Sequence, residues 1–536
     1  MEQITWSYLL FFYSFLWDIS HEHVIYKKPM IVYIALKLIN VKVMKNLVYF
    51  LLVLMFSLMS SLINAQDWEQ MDSDINGEHK EDHCGYAVSV NDDGTIVAVG
   101  TPEADVSYGT RAGNVIVYKF NAGVWEKIGN PINGSGYIEL GSAVSLNSDG
   151  TIVAIGIQDY SNANYNCGAV SIYKNNNGTW SQIGSDISGS GVEDHLGKSV
   201  GINSDGSIVV MGAPFHDHTS TNQGQVRIFK NFNGSWGQIG YDIYGENEKD
   251  EFGTSVSINS DGTIIACGAP NNDANGINSG AVKVYKNINS TWTQMGSDII
   301  GEDRDYFGRS VSLSDDGTVV AVGGNRELGM YNVVRIYKYN GSSWIKIGDD
   351  IPHSASIGFS VSLNSDGTIV AAGGPKFGTT SSESGLVRVY KNISNTWTQI
   401  GTDIEGSSNY ARLGYSVSLS ADGSVVVAGA PFYTGAEYYC GRTKIFSNAT
   451  VTNIKNESKN KQFDMYPNPT SGLVNMDFST SGIHRVIVSD ITGRTLFEKA
   501  GKHQHETVDL SNLKKGVYII TIVVDDERYI DKIIKK

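Results

Sequence analysis

The sequence predicts an all-β protein, a seven-bladed β-propeller followed by a small β-sandwich domain. The chain of 536 residues contains 59 glycines and only 18% charged residues, a composition typical of turn-rich β-structure. A unit of about 56 residues recurs along most of the chain, which indicates a repeat architecture. A different sequence type, with its own strand and turn pattern, follows the last repeat.

The N-terminal segment contains an export signal. Lys45 precedes the apolar stretch Leu47–Ile63, and the small residue Ala65 ends it. These are the features of a cleavable signal peptide, which we assign to residues 44–65. A membrane anchor is the alternative, because the apolar stretch approaches the ~20 residues that span a bilayer. Residues 1–43 are then a mis-assigned or unstructured N-terminal extension, or a second anchoring segment.

Each repeat contains four short segments that are alternating or rich in β-branched residues, separated by Gly, Asn and Asp turns. The clearest copy begins at Phe252 with FGTSVSINSDGTIIACGAP and ends with TWTQMGSDI. This pattern predicts four antiparallel strands per repeat. The Asp-Gly turn of the repeat occurs in seven copies, at Gly94, Gly150, Gly206, Gly262, Gly317, Gly367 and Gly423.

The two ends of the repeat array predict how it closes. Residues 67–75 have the sequence of a fourth strand before any first strand has occurred, and the last repeat ends near Asn448 without its own tryptophan. We expect residues 67–75 to complete the last blade of a propeller over residues 66–448, because this removes open sheet edges. An open solenoid is the alternative, but in an open array residues 67–75 would have no last blade to complete.

One tryptophan per repeat occurs at a constant register, which predicts packing between neighbouring sheets rather than ligand stacking. The aspartate six residues later is expected to form hydrogen bonds at a strand end or turn. Pro131 replaces it in one repeat. The tryptophans are Trp68, Trp125, Trp180, Trp236, Trp292, Trp344 and Trp397, and the aspartates are Asp74, Asp186, Asp242, Asp298, Asp350 and Asp403.

The pairs Phe252-Gly253 and Phe307-Gly308 and the triplet at residues 268–270, Gly-Ala-Pro, resemble FG-GAP repeats. That family includes the seven-bladed propeller of integrin α chains and many bacterial surface proteins. The resemblance spans about residues 67 to 448 and implies the propeller fold with a binding or adhesive role. Integrin-type blades often hold calcium in an Asp-rich loop between the first two strands, but here only a short turn, residues 259–262, occupies that place. One carboxylate per turn is too few for calcium, so this site is not transferred.

Residues 449–462 form a polar linker, and the motifs of residues 463–536 differ from the repeats. YPNPTSG, VSDITGRTLFE, VDLSNLKKGVYIITI and the basic end IDKIIKK follow in order, with alternating strands and Gly or Pro turns that predict a β-sandwich. These motifs closely resemble the type A sorting domain of the type IX secretion system of Bacteroidetes-type bacteria. The resemblance implies that the type IX machinery is a partner. It also implies secretion or display on the outer surface, with removal of the tail and attachment to surface lipopolysaccharide or release.

The connections between repeats are acidic, and function on a rigid frame is expected where loops vary. We call the first glycine of each repeat, such as Gly253 of the Phe252-Gly253 pair, the repeat glycine. Four repeats have an aspartate three residues before it: Asp82, Asp194, Asp250 and Asp305. A solvated charged surface is the ordinary explanation. The sharper hypothesis is a partial carboxylate ring that binds a ligand, either a divalent cation such as calcium or a cationic group. The motif at residues 216–218, His-Asp-His, adds potential ligands but lacks the spacing of a dedicated metal site.

The net charge of −15 and the lack of long basic runs make nucleic acid an unlikely partner. No nucleophile elbow, HExxH motif or phosphate-binding loop is present, and the sequence singles out no pair of carboxylates for glycoside cleavage. We therefore expect a non-enzymatic binding or adhesion protein with an extracellular glycan or protein ligand and no required cofactor. A polysaccharide-active enzyme and a purely structural matrix protein are the alternatives. The four cysteines allow one disulfide without indicating a pair.

Overall fold

The computed structural model describes residues 67–536, except 107–108, 325–331, 352–355, 379–380, 449–462, 467–469, 471, 479–483, 490–494, 502–504 and 525–526. The predicted N-terminal extension, signal peptide and linker lie outside the described residues. All regular elements of the described residues are β-strands, arranged in antiparallel sheets, which confirms the all-β prediction.

The repeats form seven antiparallel sheets, which we number I to VII in the order of their first strands. Sheets I to III contain β3 (Ala87–Val90), β4 (Ile96–Thr101), β5 (Asn114–Asn121), β6 (Val124–Lys127), β7 (Ile132–Asn133); β8 (Leu140–Leu146), β9 (Ile152–Ile157), β10 (Ala169–Asn176), β11 (Thr179–Gln182), β12 (Ile187–Ser188); and β13 (Ser199–Ile202), β14 (Ile208–Ala213), β15 (Gln225–Phe232), β16 (Ser235–Gln238), β17 (Ile243–Tyr244).

Sheets IV to VII follow the same order of strands. They contain β18 (Ser255–Ile258), β19 (Ile264–Ala269), β20 (Ala281–Ile288), β21 (Thr291–Gln294), β22 (Ile299–Ile300); β23 (Ser310–Leu313), β24 (Val319–Gly324), β25 (Val333–Tyr339), β26 (Trp344–Lys346); β27 (Ser360–Leu363), β28 (Ile369–Gly374), β29 (Leu386–Ile393), β30 (Thr396–Gln399), β31 (Ile404–Glu405); and β32 (Ser416–Leu419), β33 (Val425–Ala430), β34 (Arg442–Ser447), with β1 (Glu69–Gln70) and β2 (Ile75–Asn76).

Sheet VII joins the two ends of the repeat region. Strand β1 pairs with β34 in the register Glu69↔Ser447 and Gln70↔Phe446, and β2 pairs with the other end of β34. The outer position of the last sheet is therefore occupied by the N-terminal segment, which precedes the first sheet in sequence.

The seven sheets contact one another in cyclic order. The first strand of each sheet contacts the first strand of the next, and β32 of sheet VII contacts β3 of sheet I. The turns after these strands are linked by backbone hydrogen bonds that return to their starting residue. The N–H groups of Asp92, Ser148, Ser204, Ser260, Asp315, Ser365 and Ala421 donate to the carbonyl oxygens of Ser148, Ser204, Ser260, Asp315, Ser365, Ala421 and Asp92, respectively.

The repeated tryptophans also link each sheet to its neighbour, which confirms their predicted packing role. The indole Nε1 of Trp292 in sheet IV donates to the carbonyl oxygen of Ile239 in sheet III at 3.0 Å. The equivalent bonds join Trp68 to Ile400, Trp125 to Met71, Trp180 to Ile128, Trp236 to Ile183, Trp344 to Met295 and Trp397 to Ile347.

The Asn-Ser-Asp-Gly turn is a hairpin turn, as the sequence predicts. In sheet IV the side-chain oxygen of Asn259 accepts from the N–H groups of Thr263 and Ile264, and Asp261 accepts from Thr263. Gly262 has φ +74°, and a Cβ there would lie 2.7 Å from Cδ1 of Ile208 in sheet III. The glycine is therefore required both by the turn and by the close approach of the neighbouring sheet.

The C-terminal strands form two further antiparallel sheets that share one core. The first contains β35 (Phe463–Tyr466), β36 (Leu473–Phe478) and β39 (His505–Asp509), and the second contains β38 (Thr495–Gly501), β37 (His484–Ser489), β40 (Gly516–Val524) and β41 (Glu527–Lys535). Val474 and Val508 of the first sheet pack with Val488 and Ile520 of the second.

Candidate binding site

The residue after the repeat glycine lies at or near the start of the first strand of each sheet, and the first strands contact one another in cyclic order. We call these seven residues the axial cluster. They are Tyr86, Ser142, Lys198, Thr254, Arg309, Phe359 and Tyr415.

Three aromatic rings of the axial cluster contact one another. The ring centroids of Tyr86 and Tyr415 are 5.0 Å apart, and those of Phe359 and Tyr415 are 4.8 Å apart. The guanidinium carbon of Arg309 lies 4.9 Å from the centroid of Phe359, within the range of a cation–π interaction. Burial raises the pKa of Tyr86, so its hydroxyl stays protonated and can donate a hydrogen bond at neutral pH.

The two cations of the axial cluster are not neutralised by ion pairs. Among the described residues, Lys198 and Arg309 form no ion pair with a carboxylate, and Lys198 Nζ donates to the amide oxygen of Gln158 at 2.9 Å. Burial lowers the pKa of Lys198, and the nearby charge of Arg309 adds to this effect while Glu139 and Asp159 oppose it. Two cations that repel each other provide a favourable position for an anionic group.

Carboxylates surround the axial cluster, and most of them are already paired. Glu103 lies 3.1 Å from His83 Nδ1 and 3.2 Å from Arg111. Arg111 also forms an ion pair with Glu139, which directly precedes the first strand of sheet II. Asp159 Oδ1 lies 3.4 Å from His195 Nδ1. These pairs hold the surroundings of the cluster in place and leave few carboxylates free for proton transfer.

Glu251, in contrast to these paired carboxylates, has a raised pKa. Burial raises its pKa, which the charges of Arg309 and Lys198 and a hydrogen bond with Asn271 only partly oppose. A carboxyl group with a raised pKa beside an open cluster of polar side chains is a candidate general acid.

The four aspartates predicted as ligand-binding residues have the same local geometry in their four loops. Each accepts a hydrogen bond from the backbone N–H three residues earlier and so closes its own loop. The bonds run from His79 to Asp82, Gly191 to Asp194, Asn247 to Asp250 and Glu302 to Asp305. Asp82, Asp194 and Asp250 are at most 3% exposed. Ligand binding by these carboxylates stays a prediction, beside the loop-closing role that the geometry assigns to them.

Three of these aspartates have a second partner in their own sheet. Asp194 Oδ1 lies 3.0 Å from His216 Nδ1, Asp250 accepts from Asn272, and Asp305 accepts from Arg335 at 2.9 Å. His216 of the His-Asp-His motif thus lies against Asp194, although its Nδ1 makes no hydrogen bond of regular geometry among the described residues, and His218 stacks on Tyr244 with centroids 3.8 Å apart. The described residues contain no group of three or more His, Cys, Asp or Glu side chains arranged to hold a metal ion.

The sequence analysis did not identify the axial cluster, because in the sequence the charge of the acidic loops is the more visible pattern. The signal was nevertheless present. The position after the repeat glycine varies among Tyr, Ser, Lys, Thr, Arg and Phe, while the Ser-Val or Ala-Val pair that follows it is nearly constant. A variable position inside an otherwise repeated motif indicates a residue that the fold itself does not require.

Comparison with known families assigns two parts of the chain. The family of secretion system C-terminal sorting domains matches residues 464–536, and the FG-GAP repeat family matches residues 245–285. The C-terminal segment is therefore a type IX sorting domain, and the protein is exported to the cell surface or secreted. Within the described part of the chain, no helix has the length and apolar character needed to cross a membrane.

No curated protein matches the chain. Among solved structures, a candidate 6-phosphogluconolactonase from Bacteroides uniformis is 13% identical with a TM-score of 0.44, covering 60% of this chain and 85% of that chain. A similar candidate from Bacteroides fragilis is 14% identical with a TM-score of 0.42, covering 60% and 84%. Hydrazine synthase of Kuenenia stuttgartiensis is 12% identical with a TM-score of 0.46, covering 70% and 97%. These scores are too low to indicate an activity of this chain.

Proposed function

We propose that the protein is a secreted or cell-surface binding protein with an adhesive role, built on a closed seven-bladed β-propeller, and that it binds an acidic extracellular glycan at the axial cluster. The observation that carries the proposal is the pair of unneutralised cations, Lys198 and Arg309, beside the rings of Phe359 and Tyr415.

The propeller is supported by the cyclic contacts of the seven sheets. A four-stranded sheet cannot bury both faces alone, so radial packing of repeats is the arrangement that covers each sheet with the next. Backbone bonds between the turns form a complete cycle, and the seven indole bonds form a second cycle at the outer strands. In such a ring, binding groups from all blades converge at the axis.

The class of ligand follows from charge and shape. The chain has a net charge of −15, so two neighbouring cations without carboxylate partners are an exception to its general character. A carboxylate or sulfate group would neutralise them through charge-assisted hydrogen bonds. The exposed faces of aromatic side chains stack on the apolar faces of sugar rings. Together these groups favour an acidic polysaccharide over a neutral one.

We propose that the site binds without catalysis. Glu103, Glu139 and Asp159 are held by cations or by a histidine, which suits a fixed binding surface better than proton transfer. Cleavage of a glycoside requires a pair of suitably spaced carboxyl groups. Glu251, whose pKa burial raises and whose carboxyl group is near Arg309 and Lys198, is the residue through which the enzymatic alternative can be tested.

A glycan array probed with the chain from Gln66 onward, with and without calcium, tests the proposal. Acidic glycans should bind, and replacing Lys198 and Arg309 together with Gln should weaken this binding about tenfold or more, because hydrogen bonds to charged groups are lost. The matched control is Lys230→Gln, an exposed lysine of β15 away from the axis. Unchanged binding by the double variant, or equal loss in the control, would refute the axial site.

Catalysis is tested by incubating the bound glycan with the protein and analysing the products by size. We expect the glycan to remain intact. Release of shorter chains by the protein, abolished by Glu251→Gln, would instead establish an enzyme. Calcium-dependent binding that is lost when Asp194, Asp250 and Asp305 are changed to Asn, and retained when Asp149, Asp205 and Asp261 of the turns are changed, would move the site to the acidic loops.

A further inference from the structure

A pocket of about 380 Å³ lies between sheet I and the connection that enters it from sheet VII. We call it the seam pocket. Val99 and Thr101 of β4 and Asn114 and Ile116 of β5 line one side, and the connection contributes Asp82 and Cys84. Its volume is within the range of small-molecule sites in proteins.

The seam pocket exists because sheet I has a small residue where the other sheets have large ones. Cys84 precedes the repeat glycine of sheet I, and its thiol side chain is buried. The equivalent residues are Leu140, Leu196, Phe252, Phe307, Ile357 and Leu413, each at most 3% exposed and packed between neighbouring sheets. A cysteine cannot fill the volume of Phe252 or Leu196, so space remains at this seam.

A second small residue, Ala104, leaves the buried carboxylate of Asp82 without the side-chain partner that the equivalent aspartates have. Asp194 lies against His216, and Asp250 accepts from Asn272, in each case 22 positions further along the chain. The residue at the same position after Asp82 is Ala104, which has no polar side chain. Asp82 Oδ2 accepts from the backbone of Glu78 and His79, but Oδ1 is buried and has no hydrogen-bond partner among the described residues.

A second unpaired acceptor lies on the opposite wall. Asn114 Oδ1 is buried without a partner, and Asn114 occupies a position where sheets II and IV have Ala169 and Ala281. An unpaired buried oxygen destabilises the folded state unless a donor reaches it. Two such acceptors in one pocket select a ligand that donates hydrogen bonds.

The charges around the seam pocket favour a cation. Glu78 and Asp105 also line it, and the one lysine of the lining, Lys127, is already bonded to Glu78 at 2.8 Å. His79 Nδ1 lies 3.7 Å from Asp82 Oδ2, on the oxygen that faces the loop backbone. On the wall that carries Asn114, the side chains of Val99 and Ile116 and the ring of Tyr118 supply apolar surface.

From these contacts we propose that the seam pocket is a binding site for a small primary amine, whose ammonium group donates to Asp82 Oδ1 and Asn114 Oδ1 and whose apolar body packs on Val99 and Ile116. The site is separate from the axial cluster and does not depend on the glycan-binding role.

Three molecules of similar shape test the proposal: cyclohexylamine, cyclohexanol and cyclohexanecarboxylate. Ligand-observed NMR titrations with the chain from Gln66 onward should show the amine binding about tenfold tighter than the alcohol, because it alone bonds a carboxylate as a cation. The carboxylate should not bind. No detectable amine binding, or equal affinity of amine and alcohol, overturns the proposal.

Two variants restore what the other sheets have. Cys84→Leu fills the pocket with the side chain found at the equivalent positions of sheets II and III. Ala104→Asn supplies Asp82 with the partner that Asn272 gives to Asp250. Each should abolish amine binding while leaving the protein folded, since each copies a neighbouring repeat.

Asp82→Asn removes the charge with little change in shape and should reduce amine affinity to that of the alcohol. The matched control is Asp250→Asn, an aspartate at the equivalent loop position whose sheet has Phe252 in place of the pocket. Amine binding that is lost equally in this control, or retained in Cys84→Leu, would show that the amine binds elsewhere and would refute the assignment.

Discussion

The closing strand can be tested through Trp68, which is 9% exposed and packs with residues of sheets VI and VII. Its indole Nε1 donates to the carbonyl oxygen of Ile400 at 2.9 Å. A buried tryptophan removes about 200 Å² of surface from water, and its truncation to alanine costs about 3–5 kcal/mol. The hydrogen bond contributes about 1 kcal/mol of this, so Trp68→Phe should cost only about 1–2 kcal/mol.

The assay is urea unfolding of the chain from Gln66 to Lys536, followed by tryptophan fluorescence. From Gln66 to Lys536 every tryptophan lies in the repeats and none lies in residues 463–536, so the fluorescence signal reports on the repeat sheets alone. Trp292→Ala, at the same register in an internal sheet, should cost as much as Trp68→Ala. Tyr241, 90% exposed, provides a surface control whose replacement by alanine should change the free energy of unfolding by less than about 0.5 kcal/mol.

A cost below about 1 kcal/mol for Trp68→Ala, with the full cost for Trp292→Ala, would refute the reasoning. It would mean that the N-terminal strand contributes little to the stability of sheet VII. Greater protease sensitivity at residues 67–76 in Trp68→Ala than in Trp292→Ala would, by contrast, support a strand that this tryptophan holds in place.

Three other predictions concern turns, ion pairs and the tail. Gly262→Ala should lower the free energy of unfolding by about 2 kcal/mol or more, because an L-residue at positive φ is strained and its Cβ meets Ile208. Gly234→Ala, which is also at positive φ but has no atom within 4 Å of its Cβ, should lower it less in the same urea assay. Burial would raise the pKa of Asp403, but hydrogen bonds from Arg388 and Gln399 and the charge of Arg388 lower it below its usual 3.8. The stabilisation from this pair is therefore present above about pH 4 and is lost as pH falls through the lowered pKa. The difference in unfolding free energy between wild type and Arg388→Met should accordingly shrink toward pH 2. A difference that is constant from pH 7 to pH 2 would contradict this. Lys535 Nζ donates to the carbonyl oxygens of Leu510, Ser511 and Leu513 at 2.6 Å each, so Lys535→Met should loosen the sorting domain and reduce the amount of protein in the culture supernatant or on the cell surface, whereas the exposed Lys536→Met should not.

Local patterns were sufficient to predict the strands, the turns and the two domain types. The alternation in Ala87–Val90 and the continuous apolar run in Ile208–Ala213 predict an inner strand with one covered face and a central strand covered on both. The Asp-Gly turns are local as well, because a carboxylate two residues away and a positive φ at glycine depend only on neighbours in sequence. The sorting domain was predictable from its motifs because they are contiguous.

The meeting of distant residues was not predictable in the same way. Lys198, Arg309 and Tyr415 are far apart in sequence, and only the cyclic order of the sheets brings their side chains to one axis. The charge of the acidic loops is visible in the sequence, whereas only the structure shows that all four of these aspartates accept a hydrogen bond from their own loop backbone. Charge alone does not tell whether a carboxylate faces a ligand or its own chain.

The sequence by itself determined the all-β class, the repeat with its tryptophan register and the C-terminal address for export, since each depends on residues close together in the chain. The tertiary structure alone decided what surrounds each repeated position. Asp82 and Asp250 have the same place in the repeat, but Asp82 faces a pocket because Cys84 and Ala104 are small, while Phe252 and Asn272 close the same space around Asp250. Whether a repeated residue binds its own protein or a ligand depends on the volume and the partners that packing leaves around it, and those come from the neighbouring sheet.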